Sequence, residues 1–113
     1  MKNGLYSIRI EMLDGVHGIN TGVMVLRDGV ILGGDSFFYY VGSYSFADGR
    51  WKGEILNREH TKTFDERPVF GGKEVSIGFS GAYTDDGAEG SATALAGKRS
   101  IRFKADLRFL ADA

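Results

Sequence analysis

No cysteine occurs in this 113-residue chain, and proline occurs once. Without thiols, disulfide scaffolding, zinc–thiolate sites and cysteine nucleophiles are excluded. An excess of one charge is also missing: 14 Lys and Arg stand against 15 Asp and Glu, a formal net charge of −1. Nothing there draws the surface toward nucleic acid or anionic lipid, so neither is expected as a partner. Long apolar runs are absent too; the longest, residues 23–26 and 37–41, fall far short of a membrane span. No charged-then-apolar leader opens the chain, which reads as cytoplasmic. His17 and His60 stand alone, without metal-ligand spacing, and no metal or cofactor is expected.

What is present is glycine, 17 residues of it with no collagen-like period, and a steady supply of turns. Asp14-Gly15, Asp28-Gly29, Asp48-Gly49, Gly71-Gly72, Asp86-Gly87 and Gly97-Lys98 punctuate the chain. Such pairs reach positive φ at little steric cost and close hairpins. Between them the apolar period is two, clearest in Ile101, Phe103, Ala105, Leu107 and Phe109 against Arg102, Lys104, Asp106 and Arg108. Val75, Ile77 and Phe79 repeat the pattern, as do Tyr6, Ile8, Ile10 and Met12. The spacing predicts strands over 4–13, 17–27, 30–34, 36–47, 50–58, 73–84, 88–96 and 99–110. No segment carries a 3.6-residue period, and one domain, 1–113, fits the length. The expected fold is all-β: a single antiparallel up-and-down barrel of about eight strands, because closure hides the sheet edges. A two-sheet sandwich is the alternative. Segment 59–70, ending in Pro68-Val69-Phe70, reads as the one long connection.

The search for chemistry yields little. Glu59-His60 sits in a charged stretch, where adjacent side chains point apart. A Gly-x-Ser-x-Gly nucleophile motif is missing, and nothing flanking Ser80 or Ser91 distinguishes them. Gly33-Gly34-Asp35 lacks the following helix and nearby Lys of a phosphate cradle, and reads as a turn whose aspartate bonds to amides just ahead. An enzyme is not expected.

Two features stand out. In the aromatic block, Phe38, Tyr40, Gly42, Tyr44 and Phe46 share one face. With Phe79 and Phe103, the aromatic residues Phe38, Tyr40 and Tyr44 are candidates to line the interior, either as ordinary core or as the wall of a pocket for a small apolar ligand. Segment 23–32 is apolar on both sides, which a half-buried strand does not require. An outward stripe of Met24, Leu26 and Val30 is therefore expected to form a homodimer contact, or else to be covered by the chain's own long connection.

The opening Lys2-Asn3-Gly4-Leu5-Tyr6-Ser7-Ile8, then Gly33-Gly34-Asp35 followed by Tyr40-x-Gly42, resembles the GrlR family of negative regulators of type III secretion genes. Its pattern is Lys-Asp/Asn-Gly-apolar-Tyr-Ser-Ile and Gly-Gly-Asp-x-x-x-x-Tyr-x-Gly, so the likeness covers about the first 45 residues. The resemblance implies a lipocalin-like eight-stranded barrel that dimerises and regulates transcription by sequestering a protein partner, an activator, instead of binding DNA. It assigns Gly4, Tyr6, Gly33, Gly34, Asp35, Tyr40 and Gly42 a mainly structural role. The family's acidic Glu-Asp-Glu-Asp partner loop corresponds here to Ala47, Asp48, Gly49 and Arg50, with one acid and a following base. A basic partner would meet little attraction in that loop.

Overall fold

The computed structural model describes residues 1–13, 19–62, 74–96 and 99–113. Eight strands follow one another: β1 (Gly4–Met12), β2 (Ile19–Arg27), β3 (Val30–Gly34), β4 (Phe38–Ala47), β5 (Arg50–Glu59), β6 (Val75–Ala82), β7 (Gly87–Ala96) and β8 (Arg99–Ala111). Each pairs antiparallel with the next, and β8 returns to β1, so the sheet is a closed up-and-down barrel and not a sandwich. The strand order and nearly all the boundaries agree with the alternation and the turns. The histidine at 17, the 63–73 part of the long connection with Pro68, and the turns at 14–15, 71–72 and 97–98 lie outside the described residues.

Two of the Asp-Gly pairs build the tight turns expected of them. Asp28 and Gly29 adopt φ of 50° and 83°, and Asp48 and Gly49 adopt 52° and 80°. Two left-handed residues in succession match the twist of the flanking strands. The turn at Asp28-Gly29 sets Arg27 opposite Val30 and fixes the parity of both strands.

That parity corrects one expectation. Met24 and Leu26 point into the barrel, 2% and 0% exposed, and do not form an outward stripe. Arg27 must face solvent, and period two then carries Val23 and Val25 outward and Met24 and Leu26 inward. Val30 does face outward.

The interior divides into two packed groups. One is aromatic, with Tyr6, Phe38, Tyr40, Tyr44 and Trp51 beside Met24, Leu26, Ile31 and Leu107. The other is aliphatic and small, with Val75, Ile77, Ala92, Ala94 and Ile101 around Phe103. Phe46 keeps the inward parity of Tyr44 but lies at the rim, exposed, stacked on Tyr44 and edge-on to Tyr83. Glycines let the sheet curl this tightly. A Cβ on Gly42 would stand 2.1 Å from the Glu54 carbonyl oxygen, and one on Gly33 2.4 Å from that of Val23. Both are backbone atoms of paired strands, so these positions exclude a side chain.

Candidate functional site

The family-pattern residues gather at structural corners. Gly4 opens β1 where a Cβ would strike the Phe109 ring and the Ala111 carbonyl. Tyr6 is fully buried, its hydroxyl donating to the Lys2 carbonyl oxygen and its ring edge-on to Phe109. Asp35 organises the β3–β4 turn: Oδ1 accepts from the amides of Phe37 and Phe38 at 2.9 and 2.8 Å, and Oδ2 from the Tyr40 hydroxyl at 2.7 Å. The turn reading of Gly33-Gly34-Asp35 is thus what the chain does. His60 Nε2, just past the end of β5, lies 3.0 Å from the Asp35 carbonyl oxygen and closes the same corner. Burial, then the bond to Asp35, pushes the Tyr40 hydroxyl well above its ordinary value, so it stays protonated and donating. Burial also raises Tyr6 and Tyr44; for Tyr44 the Gly29 backbone acts in the lowering direction.

Four of the five proposed lining residues, Phe38, Tyr40, Phe79 and Phe103, border an interior cavity of about 50 Å³. Tyr44 does not reach it and packs edge-on against Trp51, ring centroids 6.2 Å apart. The Trp51 indole N–H donates to the Glu89 carbonyl at 2.8 Å, tying β5 to β7 through the interior. The sequence reading missed Asn57, which is 2% exposed and lines the cavity. Its signal was parity: Trp51, Gly53, Ile55 and Asn57 alternate along β5, so an amide at 57 had to point inward.

The outer surface carries a second arrangement. Register places Leu5 beside Val25, Val25 beside Leu32, Leu32 beside Val41, and Val41 beside Leu56. Ser76 then interrupts before Leu95. These side chains form one apolar row around the outside, with Leu32 53% and Leu95 59% exposed. Val23 and Val30, also exposed, widen it on β2 and β3. Next to the row, a Cβ on Gly78 would meet nothing within 4 Å, which leaves a shallow groove between Leu56 and Leu95. The opposite side differs: Arg9 faces Asp106, and Glu11 faces Lys104, across the β1–β8 seam.

Ala47, Asp48, Gly49 and Arg50 form no extended loop. They are the ends of β4 and β5 with a two-residue turn between, and the Gly49 carbonyl accepts from the Tyr83 amide at 3.0 Å. Among the described residues, no group of three or more His, Asp or Glu side chains is placed to hold a metal ion. Nor is any helix long and apolar enough to cross a membrane. A scan against protein-family models and a search of the curated proteins find no match to this chain.

Proposed function

We propose that this chain is a non-enzymatic, cytoplasmic protein-binding module of the GrlR kind, a negative regulator of transcription that acts by sequestering a protein partner. The carrying observation is the outward row Val25, Leu32, Val41 and Leu56, which the barrel does not need for its own core. The likeness of the first 45 residues to that family supports the regulatory part.

The dimensions of the row bear on its occupant. Strands lie about 4.8 Å apart, so the unbroken row from β2 to β5 runs about 14 Å along the curved wall and is about 10 Å wide, roughly 140 Å². A stable contact between two barrels needs about 800 Å² on each side. The row is therefore too small for a homodimer by itself, and fits a short apolar segment of a partner, about nine residues if helical at 1.5 Å per residue. The partner is a protein presenting such a segment; self-association is the competing outcome.

The test is capture with the tagged barrel, identification of what is held, and repetition with Leu32→Asp and with Lys104→Ser from the charged side. An identified transcription factor held by the parent and by Lys104→Ser, but lost from Leu32→Asp, supports the reading. Equal capture by both variants removes the row from it. A dimer in light scattering that Leu32→Asp dissociates makes a second copy the occupant.

The cavity favours a second reading, a carrier of a small apolar ligand. Its size limits that reading: about 50 Å³ is a third of the ~150 Å³ that holds benzene in an engineered protein cavity. A lipid-sized ligand does not fit. Native mass spectrometry of fresh protein would show a stoichiometric companion if the carrier reading holds.

A further inference from the structure

Within the cavity one polar group is left over. Tyr40 is committed to Asp35, both Asp35 oxygens are engaged, and the Trp51 indole is held by Glu89. Asn57 sits directly opposite Tyr40 on the inner face, only 2% exposed. Its side-chain amide borders the cavity and makes no hydrogen bond among the described residues, whereas the fully enclosed side-chain oxygen without a partner, the Tyr44 hydroxyl, lies away from the cavity. The Asn57 amide offers both donors and an acceptor to whatever enters the chamber. Across the chamber, β7 contributes only Gly90 and Ala92 to the wall. A Cβ on Gly90 would find its nearest neighbour at 3.7 Å, so the open space begins at that backbone.

We propose that the cavity is a binding site for a short-chain neutral molecule with one donor–acceptor head, an alcohol or primary amide, held by Asn57. This rests on the small-ligand reading and names its chemistry. The head must be neutral, because the walls are almost wholly apolar and the neighbouring carboxylate of Asp35 is already saturated. The body must be short, about two or three heavy atoms in all, given a chamber a third of the volume that holds the six of benzene. Methanol and formamide are the matching probes, and xenon is the probe for the apolar space alone.

The experiment is NMR titration of the whole chain with each probe, following the Asn57 side-chain amide and the methyl groups of Met24 and Ile77. Saturable shifts of the Asn57 amide with methanol or formamide are expected. Affinity should fall about tenfold in Asn57→Leu, the loss of one hydrogen bond, while xenon still binds. Gly90→Ala should weaken both probes and Gly90→Val abolish both. Should Asn57→Leu not fold, the parent's amide shift and its stepwise loss through the Gly90 variants decide. Xenon binding with no response to methanol or formamide overturns the role of Asn57 and leaves an apolar site. No response to any probe overturns the site and the carrier reading together.

Discussion

Two walls of the barrel are built to the same rule inside and to opposite rules outside. On β8 and β1, buried Ile101, Phe103, Leu107, Tyr6 and Ile8 alternate with exposed Arg102, Lys104, Asp106, Arg108 and Arg9. On β2 and β3, equally buried Met24, Leu26 and Ile31 alternate with Val23, Val25, Val30 and Leu32. A strand packed on one side needs only one apolar face, and the β8–β1 wall shows that this barrel closes with charge on the other. The apolar outer face of β2–β5 is thus surplus to folding. Surface of that kind serves contact with something else.

The largest effects should fall where the two walls agree. Phe103→Asp and Met24→Asp each place an unpaired carboxylate in the core. Each should lower stability by about 5 kcal/mol, the cavity and the buried charge together. Urea denaturation checks this, and a parent-like midpoint for either variant would break the shared inner rule. Next comes curvature. Gly42→Ala sets a Cβ against the Glu54 carbonyl and should cost about 2 kcal/mol, whereas Gly78→Ala, in open space, should cost under about 0.5 kcal/mol.

Tyr40→Phe removes one hydrogen bond from Asp35 and should cost about 1 kcal/mol at neutral pH. It should also change the alkaline limb. The folded hydroxyl is raised above its ordinary value, so its contribution is intact below about pH 10, where the unfolded tyrosine ionises. The contribution is lost as pH rises from there toward the folded value. Thermal melts from pH 9 to 11.5 should therefore fall less steeply in Tyr40→Phe than in the parent, with Tyr6 and Tyr44 keeping part of the slope. The smallest change in stability sharpens the contrast most. Leu32→Asp and Lys104→Ser should each lie within about 0.5 kcal/mol of the parent, yet only the first should lose the partner.

Much of this was legible in residue order. Ile101 to Phe109 and Tyr6 to Met12 alternate between greasy and charged, and Asp-Gly pairs mark hairpins, so strand count and closure followed. The orientation of β2 was misread because residues 23–26 are apolar on both sides and offer no contrast. The discriminating residue was Arg27, which shares parity with Val23 and Val25. The outer row was illegible for a different reason: it joins Val25, Leu32, Val41 and Leu56 through register across four strands, a relation that no single strand's pattern contains. Asn57 carried a readable parity, but whether its amide had a partner depends on what the opposite strands bring to it.

The seam between β1 and β8 sets the order in which this chain can fold. Seven of the eight pairings join consecutive strands, while this one brings Leu5 against Ala111. Closing so long a loop costs more entropy than closing any one hairpin before a bond rewards it, and long-range pairings of this kind slow folding. The meander of hairpins should assemble first and the seam last. A circular permutant opened at Gly49, with a short link between the present ends, makes the seam a local hairpin and turns β4–β5 into the distant pair. Stopped-flow refolding of the two chains then reads the kinetic weight of the seam directly, with the same barrel at the end of both routes.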